Sequence, residues 1–488
     1  MRTNQNINSK AVILVGLFFL CLFTASNAFA YDYQVTAIEP PAGYTASRAM
    51  GINNYGEVVG RFYNIDANGE AVNRQAFVWD IVNGAHLLPT LAGETGAWAI
   101  NDNGFVTGYS YNAAGKQRAV LWDLEGWTID DIGGLRNPTT GVYGESSTAY
   151  GINNLDQVVG NADIPNDANT FTPFHAFLDD STGLYDLGTL TTAHPEWANG
   201  YSIAYGINNH GEIVGIAHDS DWNFRPFIDD ETNGMQALQI DPAYAAGEWY
   251  AVVINDSGLI GGHVISGTNQ SLPYYWPNKS SAPVKITMPA GFPYGEIYGI
   301  NASGQMVGIM WDRAEEGATE HAFIFDTQNG VRDLNSLADI SAGSILNFAR
   351  DINDYGQIVG YGEHNGERRG FTLGGTLIPL PATGTYGKDD GLNPNHVNEV
   401  NFVFLGKAGN VEINYDAYDV DDATEVQILI NGRVVGYAPV GNNVWSGNQK
   451  ITLPDQYVND NSNNILTFNN TYNPPYAWIW LVRNVRFE

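Results

Sequence analysis

The chain has 488 residues, of which 53 are acidic and 22 are lysine or arginine, so its formal net charge at pH 7 is −31. A charge of this sign and size repels nucleic acid and anionic lipid, which excludes both as expected partners. Aromatic residues make up 12% of the chain and 55 residues are glycine, a composition that favours a large β-protein with many turns.

Residues 1–30 predict a secretory signal peptide. Arg2 and Lys10 precede an apolar run that extends from Ala11 to Phe23. The run is followed by Ala28-Phe29-Ala30, a typical cleavage site, so we expect a secreted protein that is cleaved near Ala30. An N-terminal membrane anchor is the alternative interpretation. The only cysteine, Cys21, lies in this segment, and no later stretch predicts a membrane span.

One phrase occurs seven times between residues 51 and 360. It consists of a small residue, Ile-Asn, a turn that mostly ends in glycine, two apolar residues and a final glycine, as in Gly51–Gly60. A period near 50 residues indicates a solenoid, a propeller or an array. The repeated isoleucines are Ile52, Ile100, Ile152, Ile207, Ile254, Ile300 and Ile352.

Each repeat contains four short predicted strands. The first carries Ala-x-Gly-Ile-Asn and the second Val-Val-Gly, and an Asn- and Gly-containing turn joins them. In the third repeat, His175–Leu178 predicts the third strand and Leu184–Leu190 the fourth. Four strands per repeat match a propeller blade, so the sequence predicts an all-β, seven-bladed propeller over residues 31–380.

The opening segment, Tyr33–Ile38, lies where the fourth strand of a preceding blade would lie. It could therefore complete the last blade and close the ring. The seventh repeat also has a possible fourth strand of its own, Thr376–Leu380, in which case the opening segment would be a fifth strand.

Residues 381–395 are rich in Gly, Pro and Asp and predict a linker, and residues 396–488 predict a second domain without the repeat. Val411–Tyr415 and Val426–Ile430 alternate as strands do, and Asn431-Gly432 is typical of a hairpin turn. A small, jelly-roll-like β-sandwich is the expected fold.

The repeats resemble the extracellular HAF-repeat family, named after a tripeptide that stands here as His175-Ala176-Phe177 and His321-Ala322-Phe323. The resemblance covers about residues 47–380 and implies a secreted bacterial protein, with no settled chemistry. Other repeats differ at the first tripeptide position, with Gln75, Arg118, Arg225 and Arg369.

The C-terminal region resembles the calcium-dependent carbohydrate-binding sandwiches of polysaccharide-degrading enzymes, through Tyr418–Val426, Asn431-Gly432 and Trp478–Val485. Four carboxylates fall within seven residues, and calcium takes six to eight hard oxygens, so a Ca²⁺ site is expected there. A solvated acidic turn is the alternative. The candidate ligands are Asp419, Asp421, Asp422 and Glu425.

Long, variable connections on one face of the propeller predict the binding surface, since loops on a rigid scaffold commonly carry function. Exposed aromatic rings pack against the C–H faces of sugars, so aromatic residues in or near these segments and in the C-terminal strand are candidate polysaccharide contacts. Each could instead only cover the end of a blade or fill the core. The candidates are Trp197, Trp222, Trp249, Trp311 and Trp478.

We therefore expect a secreted polysaccharide-binding protein. One alternative is a polysaccharide lyase that cleaves a uronic-acid-containing glycan by β-elimination, which needs a base, a proton donor and a cation near the carboxylate. Another is a surface or matrix propeller that binds a protein. The candidate catalytic residues are His194 or His218, Tyr201 or Tyr250, and Arg225.

Overall fold

A computed structural model gives the fold. It describes residues 33–81, 83–138, 140–165, 173–190, 200–266, 270–314, 317–374, 378–379, 382–388, 399–405, 411–418, 420, 426–430, 433–439, 449–453, 463–470 and 480–487. Within these residues, no helix has the length and apolar character needed to cross a membrane.

Seven antiparallel sheets form the blades of a β-propeller, which confirms the predicted architecture. Each inner strand contacts the inner strands of both neighbouring blades, so the seven inner strands close a ring around a central axis. From the inner strand outward, the strands of the first three blades are Ala46–Ile52, Val58–Ile65, Ala71–Asp80 and Gly84–Leu87; Thr95–Ile100, Phe105–Tyr111, Gln117–Asp123 and Thr128–Gly133; and Ser147–Ile152, Val158–Asp163, Phe174–Asp180 and Gly183–Gly188.

Blades 4 to 6 have the same order, with shorter outer strands in blades 4 and 5. Their strands are Ser202–Ile207, Ile213–His218, Phe224–Asp229 and Gln236–Ala237; Glu248–Ile254, Ile260–Ser266, Gln270–Trp276 and Val284–Lys285; and Tyr294–Ile300, Met306–Trp311, Glu320–Asp326 and Gly330–Asp333. Two short helices lie in the connections, the 3₁₀-helix Pro242–Tyr244 and the α-helix Leu334–Leu337.

The opening strand of the chain closes the ring. Blade 7 contains Ile345–Ile352, Ile358–His364 and Glu367–Gly374, and its fourth strand is Tyr33–Ile38, which pairs antiparallel with Glu367–Gly374. A short strand, Ala338–Asp339, pairs with the outer edge of that fourth strand. The possible fourth strand within Thr376–Leu380 is not part of this sheet, because Ile378–Pro379 pairs with Glu399–Leu405 instead.

The apolar core lies between successive blades. Between blades 1 and 2, for example, Val59 and Ala76 pack with Ala97, Val106 and Trp122. The second strand of each blade is buried along much of its length, as in Ile213–His218, because alternate side chains point to opposite faces and both faces are covered. The propeller is therefore held together by a series of small cores.

The repeated Ile-Asn phrase joins the blades on one face of the propeller. The side-chain oxygen of Asn153 accepts the backbone N–H groups of Leu155 and Gln157 at 3.0 Å each, which fixes the turn. Its Nδ2 donates to the backbone oxygen of Asn208 in the next blade at 2.9 Å. All seven phrase asparagines donate in this way to the next one around the ring: Asn53, Asn101, Asn153, Asn208, Asn255, Asn301 and Asn353.

The first position of the His-Ala-Phe tripeptide ties the third strand of a blade to its fourth. His175 Nδ1 lies 2.9 Å from Asp186 Oδ1, and His321 Nδ1 lies 2.6 Å from Asp333 Oδ2. In blade 2 the equivalent residue is an arginine, which pairs with Asp131. The recurring position therefore has a structural role.

The C-terminal residues form two further sheets. The first has the strand order Ile378–Pro379, Glu399–Leu405, Asn463–Asn470, Val426–Ile430 and Arg433–Tyr437. The second has the order Ala382–Lys388, Trp480–Phe487, Val411–Tyr418 and Gln449–Leu453. Part of the range predicted as a linker is thus a strand, since Ala382–Lys388 pairs with Trp480–Phe487.

Candidate functional site

Every inner strand carries a β-bulge at the same place, two residues before the phrase isoleucine. In blade 3, Ala149 pairs with Gly160 and Gly151 with Val159, so Tyr150 between them has no partner. A bulge redirects the side chain of its extra residue, and bulges are common beside functional sites. The seven bulged residues all line one cavity on the axis: Met50, Trp98, Tyr150, Tyr205, Val252, Tyr298 and Arg350.

This cavity, which we call the axial cavity, has a volume of about 570 Å³. A second, more polar cavity of about 190 Å³ lies among the asparagine turns. The two cavities share five phrase isoleucines as lining residues, so an apolar ring separates them: Ile100, Ile152, Ile207, Ile254 and Ile300. The axial cavity therefore lies on the side of this ring away from the asparagine turns.

Aromatic rings follow one another around one half of the axial cavity. The ring of Tyr150 lies 5.9 Å from that of Trp98 and 5.6 Å from that of Tyr205. Tyr205 lies 6.5 Å from Tyr250, and Tyr250 stacks on His263 at 4.8 Å. Burial raises the pKa of Tyr150 and Tyr205, and raises that of Tyr250 to about 12, so these phenols are neutral hydrogen-bonding groups near neutral pH.

A group of acid–base residues lies on blades 5 and 6. Tyr298 donates its hydroxyl to Glu296, and Ser271 donates to Glu296 Oε1 at 2.8 Å. His263 Nε2 lies 4.0 Å from the same oxygen. Burial opposes ionisation of Glu296, but its charged and hydrogen-bonding neighbours hold its pKa below the usual value. Burial lowers the pKa of His263, against the raising effect of Glu296, so the imidazole is neutral near pH 7.

Three residues that line the cavity have a buried polar atom without a hydrogen-bond partner. The atoms are Nε1 of Trp98, Nε of Arg350 and Nδ1 of His263, whose side chain is almost wholly buried. Leaving a buried polar group unpaired costs about 1–3 kcal/mol, so unpaired groups in a native protein call for an explanation. Because these atoms have almost no solvent-accessible surface, a ligand would pair with them only after a small movement of the cavity wall.

The structure places some of the predicted site residues together at the end of blade 4. Tyr201 donates its backbone N–H to His218 Nδ1 at 3.3 Å, and Trp222 lies 5.1 Å from the His218 ring with 55% of its surface exposed. Burial lowers the pKa of His218, although Asp219 opposes this. Arg225 donates to Asp219 Oδ2 at 2.9 Å.

The other described candidates lie elsewhere. Tyr250 lines the axial cavity, as described above. Trp249 is completely buried, donates Nε1 to Tyr244 and packs on Tyr274, so it offers no ring face to a sugar. Trp311 is half-buried beside Tyr294, at 6.2 Å.

The remaining candidates lie outside the described residues and stay predictions. They are His194, Trp197 and Trp478, and the four expected calcium ligands Asp419, Asp421, Asp422 and Glu425. Within the described part of the chain, no group of three or more His, Cys, Asp or Glu side chains could hold a metal ion.

Sequence reasoning missed most of the axial cavity, although a signal was present. The bulged residue is the variable position x in Ala-x-Gly-Ile-Asn, and it is Trp, Tyr, Met, Val or Arg in different copies. Where a large side chain recurs at one position in several copies of a repeat, next to small residues, those large side chains are expected to point in the same direction in every blade.

A buried acid beside the cavity predicts a pH effect on stability. Asp351 accepts the backbone N–H of Ile52 at 3.0 Å and that of Ile352 at 2.8 Å. Burial nevertheless raises its pKa from 3.8 to about 7, although those bonds and Arg350 oppose the shift. The folded state therefore holds the proton more tightly than the unfolded chain does. The contribution of Asp351 to the free energy of unfolding consequently falls as pH rises from about 4 to about 7.

We expect Asp351→Asn to become more stable relative to the wild type as pH rises from about 4 to about 8. Urea unfolding of the full chain at a series of pH values measures this difference, with the exposed Asp130→Asn as control. The stability of Asp351→Asn itself should still depend on pH in part, because burial also raises the pKa of Asp179 and Asp229 to about 6. A difference between variant and wild type that is the same at every pH would contradict the prediction.

Comparisons with known proteins give the following matches. The β-propeller domain of the Trilobed protease from Pyrococcus furiosus is 11% identical, with a TM-score of 0.38, over 60% of this chain and 83% of that one. A prolyl endopeptidase structure is 10% identical, with a TM-score of 0.43, over 75% of this chain and 53% of that one, so the chain spans about half the length of that enzyme. Trypanosoma rangeli sialidase is 10% identical, with a TM-score of 0.34, over 93% and 95% of the two chains.

No protein of established function matches the chain in sequence. Residues 42–271, which include blades 1 to 4 and the first two strands of blade 5, match a family that is described as a protein of unknown function, DUF3466.

Proposed function

We propose that the protein is a secreted polysaccharide-binding protein and that the glycan binds in the axial cavity. The observation that carries this proposal is the sevenfold bulge, which directs Trp98, Tyr150, Tyr205 and Tyr298 into one cavity. Sugars present apolar C–H faces edged by hydroxyl groups, and a wall of aromatic rings with polar atoms at their edges complements both.

The unpaired polar atoms support the same ligand class. Trp98 Nε1 is a donor only, and a sugar hydroxyl can accept from it. His263 Nδ1 can donate or accept, depending on the tautomer of the ring, and a hydroxyl suits either. A wholly apolar ligand would leave both atoms unpaired, which favours a ligand rich in hydroxyl groups.

Trp98→Ala should weaken glycan binding by roughly tenfold or more, because it removes both a ring face and a donor worth about 1 kcal/mol each. Binding of the full-length protein to a panel of neutral and acidic polysaccharides measures this effect. Trp127→Ala is the matched control, since this tryptophan lies in the same blade and is exposed away from the cavity. A loss of affinity in Trp222→Ala but not in Trp98→Ala would place the site on blade 4 instead and contradict the proposal.

A polysaccharide lyase is the second candidate, and the grouping of His263, Glu296, Tyr250, Tyr298 and Arg350 favours it. In β-elimination a base removes the C5 proton of a uronate, the C4–O bond breaks, a C4=C5 double bond forms, and an acid protonates the departing oxygen. Neutral His263 suits the base, a tyrosine hydroxyl suits the acid, and Arg350 would stabilise the negative charge that develops on the carboxylate.

The lyase candidate is tested by the ultraviolet absorbance of the unsaturated product when the protein is mixed with polyuronates. Absorbance that grows with the wild type and His218→Gln but not with His263→Gln would establish catalysis in the axial cavity. Binding of a polyuronate without any rise in absorbance would contradict the lyase candidate and support a polysaccharide-binding protein without lyase activity.

For the C-terminal region we propose a small β-sandwich that assists glycan binding with Ca²⁺. Two sheets are present there, and Tyr415 of one packs against Phe468 of the other at 5.0 Å, as in sheets stacked face to face. Calcium should therefore raise the glycan affinity of the full chain, and an affinity that is the same with calcium and with chelator would contradict this role.

A further inference from the structure

We infer that the glycan is acidic and that Arg48, Arg61 and Arg350 bind its oxyanion groups, carboxylate or sulfate. This inference rests on the proposed function, because it assigns a chemical class to the ligand of the same cavity. It starts from an unusual distribution of charge in a protein whose net charge is −31.

The three arginines lie on blades 7 and 1, next to one another around the axis. Arg350 lines the cavity itself, with its guanidinium carbon 4.0 Å from the ring centre of Tyr298. Arg61 lies 5.5 Å from the ring centre of Trp98, which also lines the cavity. Arg48 lies 4.6 Å from the ring centre of Tyr361, between blades 1 and 7. We call this set the arginine arc.

The Nε atoms of all three arginines are buried and have no hydrogen-bond partner. Within the described part of the chain, none of the three forms an ion pair with a carboxylate. Arginine on the outer strands and loops of the propeller behaves differently, since six such residues do pair with Asp or Glu: Arg74, Arg118, Arg225, Arg313, Arg332 and Arg369.

The arc is electrostatically unfavourable in the unliganded protein. Arg48 and Arg61 stand directly opposite each other on neighbouring strands, where like charges destabilise a sheet. Burial lowers the pKa of Arg61, and the nearby Arg48 adds to this effect, although interaction with Tyr109 opposes it. Arg350 lies near enough to Glu296 and Asp351 to lower the pKa of each carboxyl group, but within the described residues neither carboxylate forms a close ion pair with it. A ligand anion would supply the missing partner.

The chemistry of the arc also determines which part of the ligand it contacts. A guanidinium presents parallel N–H donors that match the two oxygens of a carboxylate or two oxygens of a sulfate. Glu296 on blade 6 would repel an anion placed beside it, so an acidic group bound by Arg350 should lie on the side of that guanidinium away from Glu296. The aromatic half of the cavity is then left for the sugar rings.

Binding of polygalacturonate, alginate and a sulfated galactan, each compared with its carboxyl-reduced or desulfated form, tests the inference on the full-length protein. We expect the acidic form to bind at least about tenfold more tightly, since hydrogen bonds to charged groups are the stronger ones. The carboxylate and sulfate arms identify which oxyanion the arc takes. Equal binding of acidic and neutral forms would overturn the inference and leave the proposed function standing, whereas binding of none of these polymers would overturn both.

Substitution of the arc locates the effect. Arg350→Gln should lose at least about tenfold in affinity for the acidic polymer and little for its neutral form. Arg350→Lys keeps the charge but not the parallel N–H donors of the guanidinium, so its affinity for the acidic polymer should lie between those of Arg350→Gln and the wild type. Arg368→Gln, an exposed arginine of the same blade, is the control. Arg61→Gln gives a second position if Arg350→Gln does not fold. An equal loss for acidic and neutral polymers would show a structural effect and overturn the assignment.

Discussion

Replacing Gly160 with alanine is expected to lower the free energy of unfolding by about 3 kcal/mol or more, as the most severe overpacking does. Gly160 is the final residue of the phrase in blade 3. A Cβ atom there would overlap the backbone oxygen of Thr148 and lie 2.9 Å from Cα of Ala149 and from Cε1 of Phe177. Two of these atoms are backbone and the third belongs to a fully buried ring, so none can move easily.

Urea unfolding of the full chain measures the loss. Gly126→Ala is the control, because its nearest neighbour is the flexible end of Asp123 and the expected change is below about 1 kcal/mol. The glycines that end the other six phrases meet the same backbone oxygen of their own inner strand, so each should behave like Gly160. Unfolding of Gly160→Ala at the same urea concentration as the wild type would contradict the bulge geometry.

This glycine links the repeated phrase to the cavity. The bulge that directs Tyr150 to the axis also brings the Thr148 carbonyl close to the second strand, and only a residue without a side chain fits opposite. The final glycine of the phrase is therefore required by the same distortion that builds the site.

The number of blades and the closing strand could be predicted because they depend on local, repeated signals. Strand and turn residues recur at a period near 50, and Tyr33–Ile38 stands alone before the first copy. The direction of the bulged side chains could not be predicted from the same signals, because strand periodicity places alternate residues on opposite faces and a bulge interrupts that alternation.

Two tryptophans show why the position of an aromatic residue near a connection predicted ligand contacts poorly. Trp249 was predicted to contact ligand, but the inner strand of blade 5 already begins at Glu248, so alternation turns Trp249 into the core. Trp98 was not predicted, because it lies in the repeated first strand, one residue before the phrase, where a scaffold role was expected. Tyr250 was predicted as a catalytic group, and it does line the axial cavity, next to His263.

Asn153→Ala should lower the free energy of unfolding by about 3–5 kcal/mol, because it removes four hydrogen bonds of one buried side chain at once. The Asn153 side chain accepts from two backbone N–H groups of its own turn and donates to Gln157 Oε1 at 2.8 Å and to the Asn208 backbone oxygen at 2.9 Å. Leu155→Ala in the same turn is the control, since that side chain is 62% exposed and the loss should be within about 1 kcal/mol.

Asn153→Asp distinguishes the contribution of the turn to stability from the contribution of the contact between blades. The aspartate keeps the oxygen that accepts from Leu155 and Gln157, but it replaces the donor that faces the Asn208 carbonyl with a second acceptor. We therefore expect an intermediate loss of stability that shrinks when the carboxyl group is protonated, as urea unfolding at low and neutral pH can measure. If Asn153→Asp matched the wild type at neutral pH, the ring of asparagines would contribute nothing between blades, and turn formation alone would explain why the residue recurs in all seven copies.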